Sequence, residues 1–217
     1  MKKNTIILLA LILFFKINSY GQVFINNIAG DKIRNTDNYE GILESPYFLD
    51  QWVNGEVIFE SGNKAKIDYL KYDMMADQLI FTNEKKEAEL NFKEPVKAFS
   101  LRGLFFQNNF PSYGNYTSKT YYQIIANGKL TLLKKIDVSI GERTRANMPT
   151  EKYFKRIPLY FIFKNNSIHD IKISAKTLSE EFGIDIRKVQ SIINEGKFNL
   201  KNDTDLKKLF EEYLNKE

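Results

Sequence analysis

The chain has 217 residues, with 32 Lys plus Arg against 27 Asp plus Glu, one histidine and no cysteine. Without cysteine there is no disulfide framework, no thiolate nucleophile and no Cys-based zinc or iron–sulfur site. One histidine excludes a centre built on several imidazoles, and any Ser-His-Asp arrangement would have to run through His169 alone.

The formal net charge of +5 is concentrated at the start of the chain. Lys2 and Lys3 precede an unbroken apolar run over residues 6–15, and a short polar stretch with the small residues Ser19 and Gly21 follows. That is the three-part layout of a secretory signal peptide, predicted over residues 1–21. Ten apolar residues, ended by Lys16, fall short of the roughly 20 that a membrane-crossing helix needs. With no cysteine at the cleavage point, lipid anchoring is not expected. Removing residues 1–21 takes away Lys2, Lys3 and Lys16 and no acid, leaving 29 basic against 27 acidic side chains. A near-balanced exported chain offers nucleic acid no clustered positive surface. The expected location is the periplasm or the extracellular space, without a transmembrane segment in the mature chain.

The predicted elements begin with a short strand at residues 23–25, followed by a polar loop to Gly41. Residues 56–60 read as a strand, Ser61-Gly62-Asn63 as a turn, and residues 64–73 as a second strand. In the latter, Ala65, Ile67 and Tyr69 alternate with Lys66 and Asp68, the period of a half-buried strand. Short strands follow at residues 78–82, around Ala88, Leu90 and Phe92, and at residues 96–101 beyond Pro95. Residues 57–70 and 79–92 share a rhythm that any two hairpins can share, so an internal repeat is not required.

Residues 121–126 and 129–140 form the plainest hairpin, since Asn127-Gly128 suits a type I′ turn. A last pair is expected between residues 159–164 and 168–173, turning at Asn165-Asn166, with Pro158 just ahead of the first strand. The period then becomes helical. Ser174, Asp185 and Asn202 stand as N-caps of three helices, the first closed by Gly183 and the second by Gly196. In the third, Leu206, Leu209, Phe210, Tyr213 and Leu214 form one apolar stripe, with Asp203 and Asp205 in the first turn.

The fold class is therefore α+β: an antiparallel β-meander of about eight to ten strands over residues 22–173, curved into a sandwich or half-barrel. A segment of three short helices, residues 174–217, packs on it. A transmembrane β-barrel does not fit strands this rich in charge followed by a helical end.

Several pieces look familiar together. Ser45-Pro46-Tyr47, Trp52-Val53-Asn54-Gly55 and Lys71-Tyr72-Asp73 with Asp77, and later the hairpin around Asn127-Gly128, resemble a group of exported proteins common in Bacteroidetes. Glu44 stands where the group carries glycine, and Asp73 where it carries asparagine. The resemblance implies a bacterial host and export; the group has no established activity to carry over to named residues.

No catalytic constellation stands out, and nothing calls for a cofactor or a metal. His169 lies in a strand without a nucleophile or orienting acid placed beside it. Asp37 with Glu40, or Asp73 with Asp77, could serve a carboxylate-based hydrolase, which needs two carboxyls about 5 to 10 Å apart across a cleft. Two long loops are more suggestive. Residues 105–120 carry Phe106, Phe110, Tyr113 and Tyr116, and residues 141–152 carry Arg143 and Arg145. Aromatic rings for stacking beside arginines that grip an anion would make a pocket. The expected binding residues are Phe110, Tyr113, Tyr116, Arg143 and Arg145, and the expected partner is a small ligand, a glycan or an envelope protein. A non-enzymatic binding or accessory protein of the cell envelope comes first, a carboxylate hydrolase second.

Overall fold

The computed structural model describes residues 28–33, 39–146 and 148–216. The signal peptide expected over residues 1–21 and the strand expected at residues 23–25 lie outside them. Twelve strands are present among the described residues: β1 (Ala29–Lys32), β2 (Ile42–Leu43), β3 (Val53–Phe59), β4 (Lys64–Asp73), β5 (Gln78–Phe81), β6 (Leu90–Phe92), β7 (Val96–Leu101), β8 (Leu104–Gln107), β9 (Tyr122–Ala126), β10 (Thr131–Arg143), β11 (Glu151–Lys164) and β12 (Ser167–Ile171). They form one open sheet in the order β1-β6-β5-β4-β3-β7-β8-β9-β10-β11-β12. It is antiparallel except where β2 pairs in parallel with β11. The sheet is thus mixed rather than purely antiparallel. It has more strands than expected because β1, β2 and β8 fall in segments that do not read as strands.

The long β10–β11 hairpin also corrects the sequence reading. The strands run on to Arg143↔Glu151, so the loop expected from Gly141 to Lys152 shrinks to residues 144–150. Pro158 lies inside β11 rather than ahead of it. Its missing N–H is tolerated there for a geometric reason. Asn165 and Asn166, both in the left-handed region at φ 50° and 57°, make a two-residue turn flanked by the pair Lys164↔Ser167. Such a flanking pair exchanges both hydrogen bonds, so the even-numbered residues of β11 aim their main-chain groups toward β12. The last of these pairs joins Tyr160 to Ile171, so Pro158 faces an edge that β12 no longer covers.

The primed turn expected at Asn127-Gly128 is not formed, because neither residue has positive φ. Gly128 instead leaves room for the Asn215 amide: a Cβ there would lie 2.1 Å from that side chain, which would have to move aside. Asn215 Oδ1 accepts from Lys129 N at 2.9 Å, which pins the end of the chain to this connection.

In β4 the alternation slips by one. Ala65 and Ile67 are buried as expected, but Tyr69 is half-buried and the buried set resumes at Leu70 and Tyr72. Between the pairs Gly55↔Ile67 and Val53↔Leu70 the register shifts, which marks a β-bulge with one extra residue on β4.

Curvature decides what the sheet encloses. β4 and β10 are five strand positions apart, about 24 Å in a flat sheet. Yet Lys135 Nζ on β10 donates to the Tyr72 hydroxyl on β4 at 2.9 Å and to Asp77 Oδ1 at 2.7 Å. Asp77 also accepts from the Tyr72 hydroxyl and from Tyr121 N. The sheet therefore curls until its middle strands face each other, around a core that includes Val57, Leu70, Phe81, Phe99 and Leu101. A strap over residues 39–49 laces the mouth of the curl. Phe48 N donates to Tyr72 O and Met74 N to Pro46 O, while the Arg156 guanidinium donates to the carbonyls of Ser45 and Tyr47.

Three helices follow: α1 (Ala175–Phe182), α2 (Ile186–Glu195) and α3 (Asp203–Lys208). Ser174 caps α1, with Thr177 completing a reciprocal box, and Gly183 ends it at φ 69°. Asp185 and Asn202 cap α2 and α3. Beyond Lys208 the helix widens over Leu209–Tyr213 and tightens over Leu214–Lys216. Leu206, Leu209, Phe210 and Leu214 are fully buried against Ile125, Leu132 and Ile162 of the sheet, whereas Tyr213 of the expected stripe stays exposed.

Replacing Lys135 by Ala should cost about 3 kcal/mol, because it strands the Asp77 carboxylate beside a buried phenol. Lys135→Met combined with Asp77→Asn should recover much of that loss. Urea denaturation of the three variants checks both, and equal stability of Lys135→Ala and wild type would refute the role. At the β11–β12 turn, Asn166→Gly should hold or raise the melting temperature. Asn166→Val should lose about 1–2 kcal/mol through left-handed strain.

Candidate functional site

The loop from Asn108 to Thr120 folds back over the end of the sheet instead of projecting from it. Tyr113 and Tyr116 exchange backbone hydrogen bonds, each N to the other's O at 3.0 Å, around Gly114 at φ 56°. This small hairpin sets both rings edge-on against Phe161 of β11, with centroids 6.0 and 5.5 Å apart. Phe110 is buried beneath them with Tyr122, Leu133 and Ile168. It supports the loop from below and is not among the residues that line the groove beside it.

A groove of about 660 Å³ opens beside the two tyrosines. Its wall is built from Pro158 to Phe161 of β11, Asp170 to Ile173 at the end of β12, and Leu200 and Lys201 from the connection between α2 and α3. The volume lies within the ordinary range for small-ligand sites. The groove exists because β12 stops pairing at Ile171 while β11 continues, leaving the strand edge at Pro158 and Leu159 uncovered.

Three phenols on this wall are fixed by carboxylates. The Tyr113 hydroxyl donates to Asp170, Tyr116 to Asp137 at 3.4 Å, and Tyr160 to Asp203 at 2.9 Å. The hydrogen bond to Asp170 raises the Tyr113 pKa, and burial followed by Asp137 pushes Tyr116 up to about 12. Burial, then Asp203, raises Tyr160 as well. All three are phenols at neutral pH and act as donors. Asp203 also takes Lys134 Nζ at 2.6 Å, which ties α3 to β10.

The arginines do not join this site. Tyr116 meets β10 at Asp137, and Arg143 lies six residues farther along the same strand, about 20 Å away. Arg143 Nε donates to Glu151 at 3.0 Å, and its guanidinium lies over the Tyr153 ring. Arg145 is exposed at the hairpin tip. The expected juxtaposition of aromatic loop and arginines is thus not formed, because those residues extend the strands and carry the arginines away.

Asp73 and Asp77, one of the two acid pairs proposed for hydrolysis, are committed elsewhere. Asp73 caps its own turn, with Oδ1 accepting from Met75 N and Ala76 N and Oδ2 from the Tyr39 hydroxyl. Asp77 is held by Lys135, Tyr72 and Tyr121. Asp37 lies outside the described residues. A second cavity, of about 470 Å³, is lined by Asp77, Glu60 and Glu94. There Glu60 accepts from Asn109 Nδ2 and Glu94 from Ser61 N. His169 Nε2 meets Glu181 Oε1 at 2.8 Å, joining β12 to α1.

The groove residues that sequence reading missed are Tyr160, Asp170, Lys172, Leu200 and Lys201. The turn at Asn165-Asn166 does set Asp170 opposite Phe161. Nothing in the sequence brings Leu200 or the loop of Tyr113 to that pair. Among the described residues no group of acids and histidine is arranged to hold a metal ion, and no helix is long and apolar enough to cross a membrane. Comparison with models of known protein families, with curated proteins and with solved structures finds no match.

Proposed function

We propose that this chain is an exported, non-enzymatic binding or accessory protein of a bacterial cell envelope, and that it holds its ligand in the groove beside Tyr113 and Tyr116. The observation that carries this is the groove itself: a partly apolar cleft of about 660 Å³ with rigidly anchored phenols along it. Such preorganised walls lower the ordering cost of binding. Export rests on the leader-like residues 1–21.

The resemblance to exported Bacteroidetes proteins gains support from the backbone. Glu44, standing where that group carries glycine, sits at φ 68°, a region that favours glycine. Asp73, standing for asparagine, accepts two backbone N–H groups through one oxygen, which an asparagine could do equally well. The hydrolase reading finds no comparable support at Asp73, Asp77, Glu60 and Glu94, which all serve structural hydrogen bonds.

Thermal-shift screening of the exported protein against oligosaccharides, peptides and amphiphiles tests the proposal. A true ligand at a hundred times its Kd should stabilise the fold by about 2.7 kcal/mol. Tyr116→Ala should abolish that shift, and Arg143→Ala with Arg145→Ala should leave it intact. A panel without any stabilising compound, or a shift lost with the arginines instead, would refute the assignment.

A further inference from the structure

The charge along the groove is unbalanced. Lys172 and Lys201 are its cations and Asp170 its one acid. Asp170 is engaged by the Tyr113 hydroxyl. Neither ammonium group has a carboxylate within salt-bridge distance among the described residues. Asp203, two residues from Lys201, is already held by Lys134 and Tyr160. The two lysines come from different elements, one just past β12 and the other between α2 and α3, and both are exposed.

The remaining wall is mainly apolar, through Leu159, Phe161, Ile171, Ile173 and Leu200. A ligand dense in hydroxyl groups needs many free directional partners. Here the phenols of Tyr113, Tyr116 and Tyr160 are occupied by carboxylates. A ligand with an apolar body and one anionic group matches what the groove leaves open: hydrocarbon surface and two unpaired cations.

We infer that the groove takes a single-chain amphiphile with an anionic head, a carboxylate or a phosphate, its chain along the apolar wall and its head at Lys172 and Lys201. This rests on the groove being the ligand site. Fluorescence titration of the exported protein with dansylundecanoate, followed by displacement with dodecanoate, dodecyl phosphate and dodecanol, tests it. Both anions should displace the probe at about tenfold lower concentration than the neutral alcohol, the effect expected from two exposed charge contacts. The stronger of the two anions identifies the head group. In the double variant Lys172→Gln with Lys201→Gln the probe itself should bind about tenfold more weakly and the preference should vanish, while the Kd of dodecanol, corrected for the weaker probe, is unchanged. Unaltered thermal melting would show that the variant is folded. Equal displacement by dodecanol, or a preference that survives the double variant, overturns the anionic class and leaves the groove as a binding site. Failure of the probe to bind, with an oligosaccharide stabilising the protein through Tyr116, also overturns the class. Probe binding insensitive to Tyr116→Ala removes the groove as the site altogether.

Discussion

The ammonium of Lys135 is the point on which the molecule closes. It is almost fully buried, and it reaches from β10 to Tyr72 on β4 and Asp77 in the following turn. Taking such a group out of water is costly, and the cost is offset only when partners are fixed in place. Here a carboxylate, a phenol and the curvature of five strands supply that fixation together. Tyr72 is in turn held by Phe99, Phe106 and Tyr121, so the polar knot sits inside an aromatic cluster that cannot shift without breaking it. Burial and Asp77 drive the Tyr72 pKa well above its ordinary value, which keeps it a donor.

From that closure the strap over residues 39–49 acquires a surface to bind. Tyr47 and Trp52 place their rings against the Lys71 ammonium, at 4.5 and 4.8 Å, and burial lowers its pKa. The Tyr39 ring packs on Phe154 while its hydroxyl donates to Asp73. The short elements Ser45-Pro46-Tyr47, Trp52 and Lys71-Tyr72-Asp73 thus converge on one region, and their shared task is to hold β4 to β11. They are scattered in sequence because the strap joins strands from opposite halves of the sheet.

The groove arises farther along β11, from a mismatch in strand length. β12 must leave β11 after Ile171 so that Ser174 can begin α1, and Pro158 offers no donor to whatever might continue the pairing. A bare edge of this kind invites pairing with other strands unless it is blunted, and proline beside Lys155 and Arg156 does that. What remains is a cleft bounded by side chains rather than by backbone hydrogen bonds. The helices complete it, because their burial against Ile125, Leu132 and Ile162 brings Leu200 and Lys201 alongside β12.

Local physics in the sequence determined much of this protein: the strand rhythm, the turn at Asn165-Asn166, the three helix caps and the apolar stripe of the last helix. Each depends on residues a few positions apart, so a linear pattern suffices. The β4 bulge escaped because one inserted residue leaves composition unchanged while it reverses which side chains face inward. Asn127-Gly128 misled because its chemistry permits a primed turn, whereas packing against Asn215 selected another. The expected binding residues divided along the same line. Tyr113 and Tyr116 stood out as aromatics in a loop, but Arg143 and Arg145 could be placed beside them only by assuming that both segments were loops. Only the tertiary structure decided that Lys135 would be buried, that β12 would stop short, and that Lys172 and Lys201 would share one wall. Those outcomes depend on how far the sheet curls and where the helices dock, sums over many distant contacts that no local spacing records.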